Sequence, residues 1–363
     1  MTRQIGGRTV TDGRALNGST ALDEQGAHSP ATTIADVSQI PGIRIAHHTD
    51  EENGTGCTGT VCPAGDTSAV DVRGGAPATR ETDLLRPEET VDVLHAVVLS
   101  GGSAYGLAAS VGVAEELERR DIGLDVQVGV VPIVSGACLF DLAFANPSVR
   151  PTAADGARAC ALALDNAPTP LPRGNVGAGC GCTVGKLGGP TRAMKSGLGT
   201  DVEQAGPLLC GAVAAVNACG NVVDPDTGEV IAGMRSQDGT DFVDECELAL
   251  SMAVRMPLDP GHAGSARPPV RTNTTISCVI TNARLTKAQA TKVAQMAADA
   301  YAHAIRPTHT TNDGDSVFVM ATGEVEVPVD VVGILATRAL ERAIADGARS
   351  AKTSHGLVGA ASL

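Results

Sequence analysis

The chain has 363 residues, enough for one large domain or two, with 43% apolar residues but only 2% aromatics and no Trp. Its packing must therefore rest on Ala, Val, Leu and Ile. A net charge of −14 argues against a nucleic-acid partner, since phosphate binding needs clustered Lys and Arg. Neither an apolar run of membrane-spanning length nor a signal-peptide core occurs, so a cytoplasmic protein is the expectation.

Residues 1 to about 33 are polar, Gly-rich and without periodicity. They read as a flexible tail ahead of a single domain over 34–363. Residues 35–45 suggest a strand and a turn at Pro41-Gly42, followed by strands over 58–63 and 69–75. Residues 94–100 form a buried strand that runs into Gly101-Gly102-Ser103-Ala104-Tyr105-Gly106 and a helix to about Arg119. His95 reads as a core or strand-end histidine. The glycine spacing is neither that of a P-loop nor that of a dinucleotide fingerprint, so these glycines serve close backbone packing or the approach of a substrate. No cofactor is implied.

Residues 126–134 are β-like, and 155–164 form a short Ala-rich helix. Dense glycine over 174–185 implies a strand or turn pressed against other backbone, closed by Lys186. By itself Lys186 reads as a solvated lysine after a turn. An apolar run over 208–216 ends at Asn217 and is followed by a second strand. Asn217 fits a turn residue, or a donor to a tetrahedral oxyanion. The ten cysteines are scattered through apolar runs such as Ala159-Cys160-Ala161-Leu162, the pattern of buried reduced thiols. Cys180-Gly181-Cys182 has no second pair or nearby His to complete a zinc site, so no metal is expected.

A helix over 247–254 leads to a Pro- and Gly-rich loop over 259–269. After it comes Arg271-Thr272-Asn273-Thr274-Thr275-Ile276-Ser277-Cys278-Val279-Ile280-Thr281, whose second half is a strand with Thr274, Ile276, Cys278 and Ile280 on one face. Thr-Thr at a strand start is ordinary. A cut between Asn273 and Thr274, however, would leave one residue holding both a nucleophilic hydroxyl and an α-amine able to act as its base. Thr286-Lys287-Ala288-Gln289 is a capping box for a helix reaching about Ile305, ended by Pro307. Asp313-Gly314-Asp315 falls on a turn entering a strand over 316–321; the EF-hand spacing that would make it a calcium loop is absent. A strand over 324–327 and a helix from Asp330 to about Ala345 close the chain.

The Asn273-Thr274-Thr275-Ile276 stretch, followed by His309-Thr310-Thr311-Asn312-Asp313-Gly314-Asp315, resembles the DmpA-like family of L-aminopeptidase/D-esterases, β-aminopeptidases and nylon-oligomer hydrolases. The resemblance runs from about Val37 to about Gly347 and is nearest the nylon-oligomer branch. It implies an α/β fold, a four-layer αββα sandwich of the N-terminal-nucleophile type. It also implies self-cleavage into 1–273 and 274–363, and a homo-oligomer acting on a small amide or peptide substrate. By the same resemblance Thr274 is the nucleophile, Asp313 and Asp315 orient it, Lys186 belongs to the cluster and Asn217 stabilises the oxyanion. Relatives often carry a Tyr in the region of Cys138-Leu139-Phe140-Asp141, where this chain has Phe140, which has no hydrogen bond to donate. Three other readings stand beside this one. An ornithine acetyltransferase shares the threonine logic but not the expected Lys-rich context; the others are an uncleaved scaffold and a cysteine hydrolase using Cys278.

Overall fold

The structure, a computed structural model, describes residues 34–255 and 273–363. The expected tail over 1–33 and the loop over 259–269 lie outside the described residues.

Strand β1 (Arg44–Asp50) pairs antiparallel with the first half of β2 (Thr55–Val72). There follow β3 (Thr79–Arg80), β4 (Leu94–Ser100), helix α1 (Ala108–Arg119), β5 (Leu124–Asp125), β6 (Val130–Val131), β7 (Val134–Cys138) and α2 (Ala153–Asn166). Next are β8 (Thr183–Val184), β9 (Met194–Lys195), β10 (Leu198–Ala205), β11 (Leu208–Asn217), β12 (Asn221–Val223), β13 (Val230–Ala232) and α3 (Glu245–Arg255). The last part holds β14 (Thr274–Ala283), α4 (Lys287–Ala297), α5 (Asp299–Ala304), β15 (Ile305–Arg306), β16 (Ser316–Val325) and α6 (Val329–Arg349).

Where the sequence suggests two strands over 58–75, the structure has one 18-residue strand, β2. Its first half pairs with β1 and β4, and its second half, Thr67 to Val72, pairs with β16. The register slips between Val61 and Asp66. Pro63 has no N–H to give a ladder there, and Gly65 takes φ +74°. That irregularity lets one strand serve two layers. Among the described residues the main sheet has nine strands, in the order β10-β11-β14-β16-β2-β4-β7-β3 with β1 on β2.

The sheet folds over at β2, and side-chain alternation shows it. Leu94, Val97 and Leu99 of β4 share one buried cluster with Val213, Ile276, Cys278, Ile280, Phe318 and Met320 from the other half. The alternate residues of β4, Ala96 and Val98, instead pack on Ala109, Val113 and Leu117 of α1 and on Cys160 of α2. On the far side Val279, Val317 and Val319 meet Val293 of α4 and Ala336, Leu340 and Ile344 of α6. Helices, sheet, sheet, helices: this is the expected αββα sandwich, built by period-2 patterning on strands covered on both faces. Phe318 is fully buried at the centre of the inter-sheet layer. Phe318→Ala should lower unfolding free energy by about 3–5 kcal/mol, read from urea titration; a loss below ~1 kcal/mol would contradict this packing.

Three further details differ from the sequence reading. Residues 126–134 hold the turn and second strand of the short hairpin β5–β6 and the start of β7. The capping box at Thr286 and Gln289 is present, but its helix breaks at Ala298 into α4 and α5. The break sets the buried Tyr301 hydroxyl on Ser277 Oγ at 3.0 Å, Thr275 O at 3.1 Å and Ser316 O at 3.2 Å, partners a buried phenol requires. β16 runs unbroken to Val325, because Val325 still pairs with Ala283 of β14. His95 is buried, and its Nδ1 accepts from Ile133 N–H at 3.2 Å.

Candidate active site

β11 and β14 run antiparallel with Asn217 directly opposite Thr274. β14 and β16 run parallel, with Ile276 opposite Ser316. The C-terminal end of β11 and the N-terminal ends of β14 and β16 therefore meet at one edge. That edge gathers Asn217, Asn273, Thr274 and the Asp313-Gly314-Asp315 turn, residues distant in the chain.

Thr274 is only 4% exposed and Asn273 7%, so the bond joining them lies out of bulk water. The Thr274 hydroxyl donates to the carbonyl oxygen of Asn273 and accepts the N–H of Gly314 at 3.0 Å. A side chain at 314 would place its first carbon 2.9 Å from that hydroxyl, so the turn needs glycine to come this close.

The two carboxylates hold the surrounding backbone rather than the Thr274 hydroxyl. Asp315 accepts Thr275 N–H at 2.8 Å through Oδ1; through Oδ2 it accepts His309 N–H at 3.1 Å and Thr308 Oγ–H at 3.3 Å. His309 Nδ1 lies 2.9 Å from the same oxygen, and its ring stacks on Tyr301 at 5.2 Å. Asp313 accepts Thr310 N–H at 2.6 Å through Oδ2, while its buried Oδ1 has no hydrogen-bond partner among the described residues. Burial first, then the neighbouring Asp315, push Asp313 up to about 6.

Lys186 is not the solvated lysine of the plain sequence reading. Its Nζ donates to the Asn217 side-chain oxygen at 2.7 Å and to the Asn217 carbonyl at 3.0 Å. Burial lowers Lys186 to about 8, opposed by Cys182, Cys219, Asp313 and Asp141. The same Asn217 oxygen accepts Thr183 N–H at 3.1 Å, and Asn217 Nδ2 donates to Phe140 O at 2.9 Å. Asn217 is thus held from three sides.

Beside this cluster opens a cavity of about 460 Å³ walled by Phe140, Ala143, Phe144, Leu187, Pro190 and Leu357, with Lys186, Asn273, Asn312 and Asp141 as polar lining. An apolar pocket with few convergent polar groups is what a small organic ligand requires. The six residues singled out from the sequence, Lys186, Asn217, Asn273, Thr274, Asp313 and Asp315, all come together here. His309, Tyr301 and Thr183 were not singled out; His309 opens the stretch around Asp-Gly-Asp, whereas the other two carry no local signal. Among the described residues no group of three His, Cys, Asp or Glu could hold a metal ion, and no helix is long and apolar enough to cross a membrane.

The raised Asp313 has a consequence for stability. A folded pKa above the usual 3.8 means that ionising Asp313 costs the folded state free energy as pH rises from about 4 through 6. Asp313→Asn should therefore have an unfolding free energy about 1–3 kcal/mol above the parent's at pH 7.5 and match it near pH 3.5, while hydrolysis falls. Calorimetry at the two pH values checks this; a variant less stable at pH 7.5 would count against a strained carboxylate.

The αββα sandwich is shared by solved structures of the N-terminal-nucleophile hydrolase fold. The L-aminopeptidase D-Ala-esterase/amidase of Ochrobactrum anthropi, described as a variant of that fold, superposes with TM-score 0.64 over 91% of this chain and 93% of its own, at 17% identity. A β-aminopeptidase from Burkholderia sp. gives 0.59 over 88% of each chain, at 20% identity. The chain belongs to peptidase family S58, whose sequence model matches residues 33–361. It is 43% identical to the uncharacterized aminopeptidase ML1167 of Mycobacterium leprae over 315 residues, 82% of this chain and 80% of that protein. It is 30% identical to the 6-aminohexanoate-oligomer endohydrolase of Kocuria sp. over 291 residues, 80% and 75% of the two chains.

Proposed function

We propose that this protein is a self-processing amide hydrolase whose nucleophile is Thr274, freed as a new N-terminus by scission of the Asn273–Thr274 bond. The observation that carries the reading is the buried Thr274 hydroxyl lying on the carbonyl of the residue before it, beside an apolar cavity that Asn273 also lines.

In the first stage Thr274 Oγ attacks the Asn273 carbonyl carbon, and the C–N bond to Thr274 breaks. The hydroxyl proton ends on the departing nitrogen, leaving an ester between Asn273 and Thr274 Oγ. Water opens that ester to an Asn273 carboxylate and a restored hydroxyl. In the second stage the new α-amine, which titrates near pH 8 when unperturbed, takes the proton as Oγ attacks a substrate amide carbonyl. It returns the proton to the leaving amine, and water then releases the acyl group by the same route. Asn217, fixed opposite Thr274 by Lys186 and Thr183, takes the role of oxyanion donor, which Phe140 cannot share.

The names of the relatives suggest two substrate classes, N-terminal peptide bonds and aminohexanoate oligomers, and the apolar cavity walls suit the alkyl chains of either. The test is N-terminal sequencing and intact mass of active protein, followed by hydrolysis of aminoacyl anilides and of linear 6-aminohexanoate oligomers. Pieces spanning 1–273 and 274–363, with the second beginning Thr-Thr-Ile-Ser, are expected. Full activity in an unbroken chain would overturn the proposal.

A further inference from the structure

Lys195, in β9, is fully buried, yet the proposed chemistry gives it no task. It stands opposite Thr183 of β8. Its Nζ donates to Cys182 O at 2.9 Å, to Gly179 O at 3.2 Å and to Ser196 O. Main-chain carbonyls, not a carboxylate, thus take the protons of this ammonium. The centroid of the Phe144 ring, which walls the cavity, lies 5.2 Å from the same nitrogen. Cys182 O belongs to the peptide unit whose N–H is that of Thr183. That N–H donates to the Asn217 side-chain oxygen at 3.1 Å, backed by Thr183 Oγ–H at 3.4 Å. Ser196 N–H also donates to Cys182 O, at 2.9 Å. One planar peptide therefore carries the Lys195 ammonium on its oxygen and Asn217 on its nitrogen. We propose that Lys195 is a positioning residue for Asn217: its ammonium pins and polarises the Cys182–Thr183 peptide, whose N–H holds the Asn217 amide oxygen and strengthens the amide N–H₂ group as a donor. The inference rests on the reading that Asn217 stabilises the oxyanion formed when Thr274 attacks.

The physical basis is a relay through two amides. A cation on a carbonyl oxygen draws electron density from the peptide nitrogen through the resonance that keeps the unit planar, so its N–H becomes a stronger donor. The Asn217 side chain is an amide of the same kind, and a stronger bond at its oxygen draws density from Nδ2. Lys186 acts on that oxygen directly, at 2.7 Å; Lys195 acts on it from one peptide further out. Uncharged donors could satisfy the same carbonyls, whereas burying an ammonium carries a desolvation cost. Burial lowers Lys195 to about 8, so it is still cationic at neutral pH and its charge reaches the peptide.

The experiment compares processed parent with processed Lys195→Met, whose side chain keeps the volume behind Phe144 and removes the charge. Two readouts are taken: kcat and KM for an aminoacyl anilide, and the inhibition constant of the matching aminoalkyl boronic acid. The Thr274 oxygen adds to boron, its proton passing to the α-amine, and the tetrahedral adduct carries an oxygen where the oxyanion forms. In Lys195→Met kcat should fall about tenfold and boronate affinity by a similar factor, with KM within about twofold of the parent's. A merely structural lysine would alter melting and leave kcat and boronate affinity at the parent's values, which overturns the inference. A fall in kcat without weaker boronate binding overturns it too, because the effect then bypasses the oxyanion donor. If Lys195→Met does not accumulate as processed protein, Lys195→Gln, which keeps a donor and removes the charge, is judged by the same criteria. Full hydrolysis by Thr274→Ala would instead overturn the proposed function, whatever Lys195 does.

Discussion

Thr274→Ala is expected to remain a single 363-residue chain and to lose amide hydrolysis by about 10⁴-fold or more. The substitution removes the hydroxyl placed against the Asn273 carbonyl, and it also prevents the α-amine from being released. Both stages of the chemistry thus fail together. Thr274→Ser keeps the hydroxyl and should still process, with hydrolysis reduced by only about tenfold through lost restraint at the hydroxyl. A denaturing gel, intact mass and a progress curve check all three statements. If the Ala chain still splits between 273 and 274, the nucleophile has been assigned wrongly.

Lys186→Met is expected to lower kcat by about 10²–10³-fold and to slow processing on the same gel. The alkyl chain keeps its volume, but Asn217 loses the ammonium that holds both its oxygens. Thr183 still holds the side-chain oxygen through its N–H and its hydroxyl. A second effect is electrostatic. Lys186 lowers the pKa of Asp313, which burial and Asp315 have already raised to about 6. Without that cation the carboxylate is less favoured, its pKa climbs further, and the acid limb of the rate profile should move to higher pH. An acid limb unchanged in Lys186→Met would mean that the two groups are not coupled.

Much of this molecule is legible in the chain because its signals are local. Alternation over 274–280 correctly placed Ile276, Cys278 and Ile280 on one buried face, and the box at Thr286 and Gln289 correctly opened a helix. The site residues were legible for a different reason. Thr274 and the Asp313-Gly314-Asp315 turn sit in short stretches that resemble a known family, and Lys186 and Asn217 were drawn in only through it. His309 and Tyr301 escaped because each acts through a partner supplied by another element. His309 holds Asp315, and Tyr301 bonds the backbone of β14 and β16.

By itself the sequence determined most of the strands and helices and a hydroxyl residue at a strand head, since these follow from nearest-neighbour pattern and from caps. Only the tertiary structure decided that β2 is one strand bending between two layers, that the half-buried Lys186 lies on Asn217, and that the carboxylates grip backbone N–H groups while Gly314 meets the hydroxyl. Those outcomes depend on strand register and on which elements share a sheet edge. Register is set by the whole core closing at once, so the residues on either side of a contact carry no mark of each other.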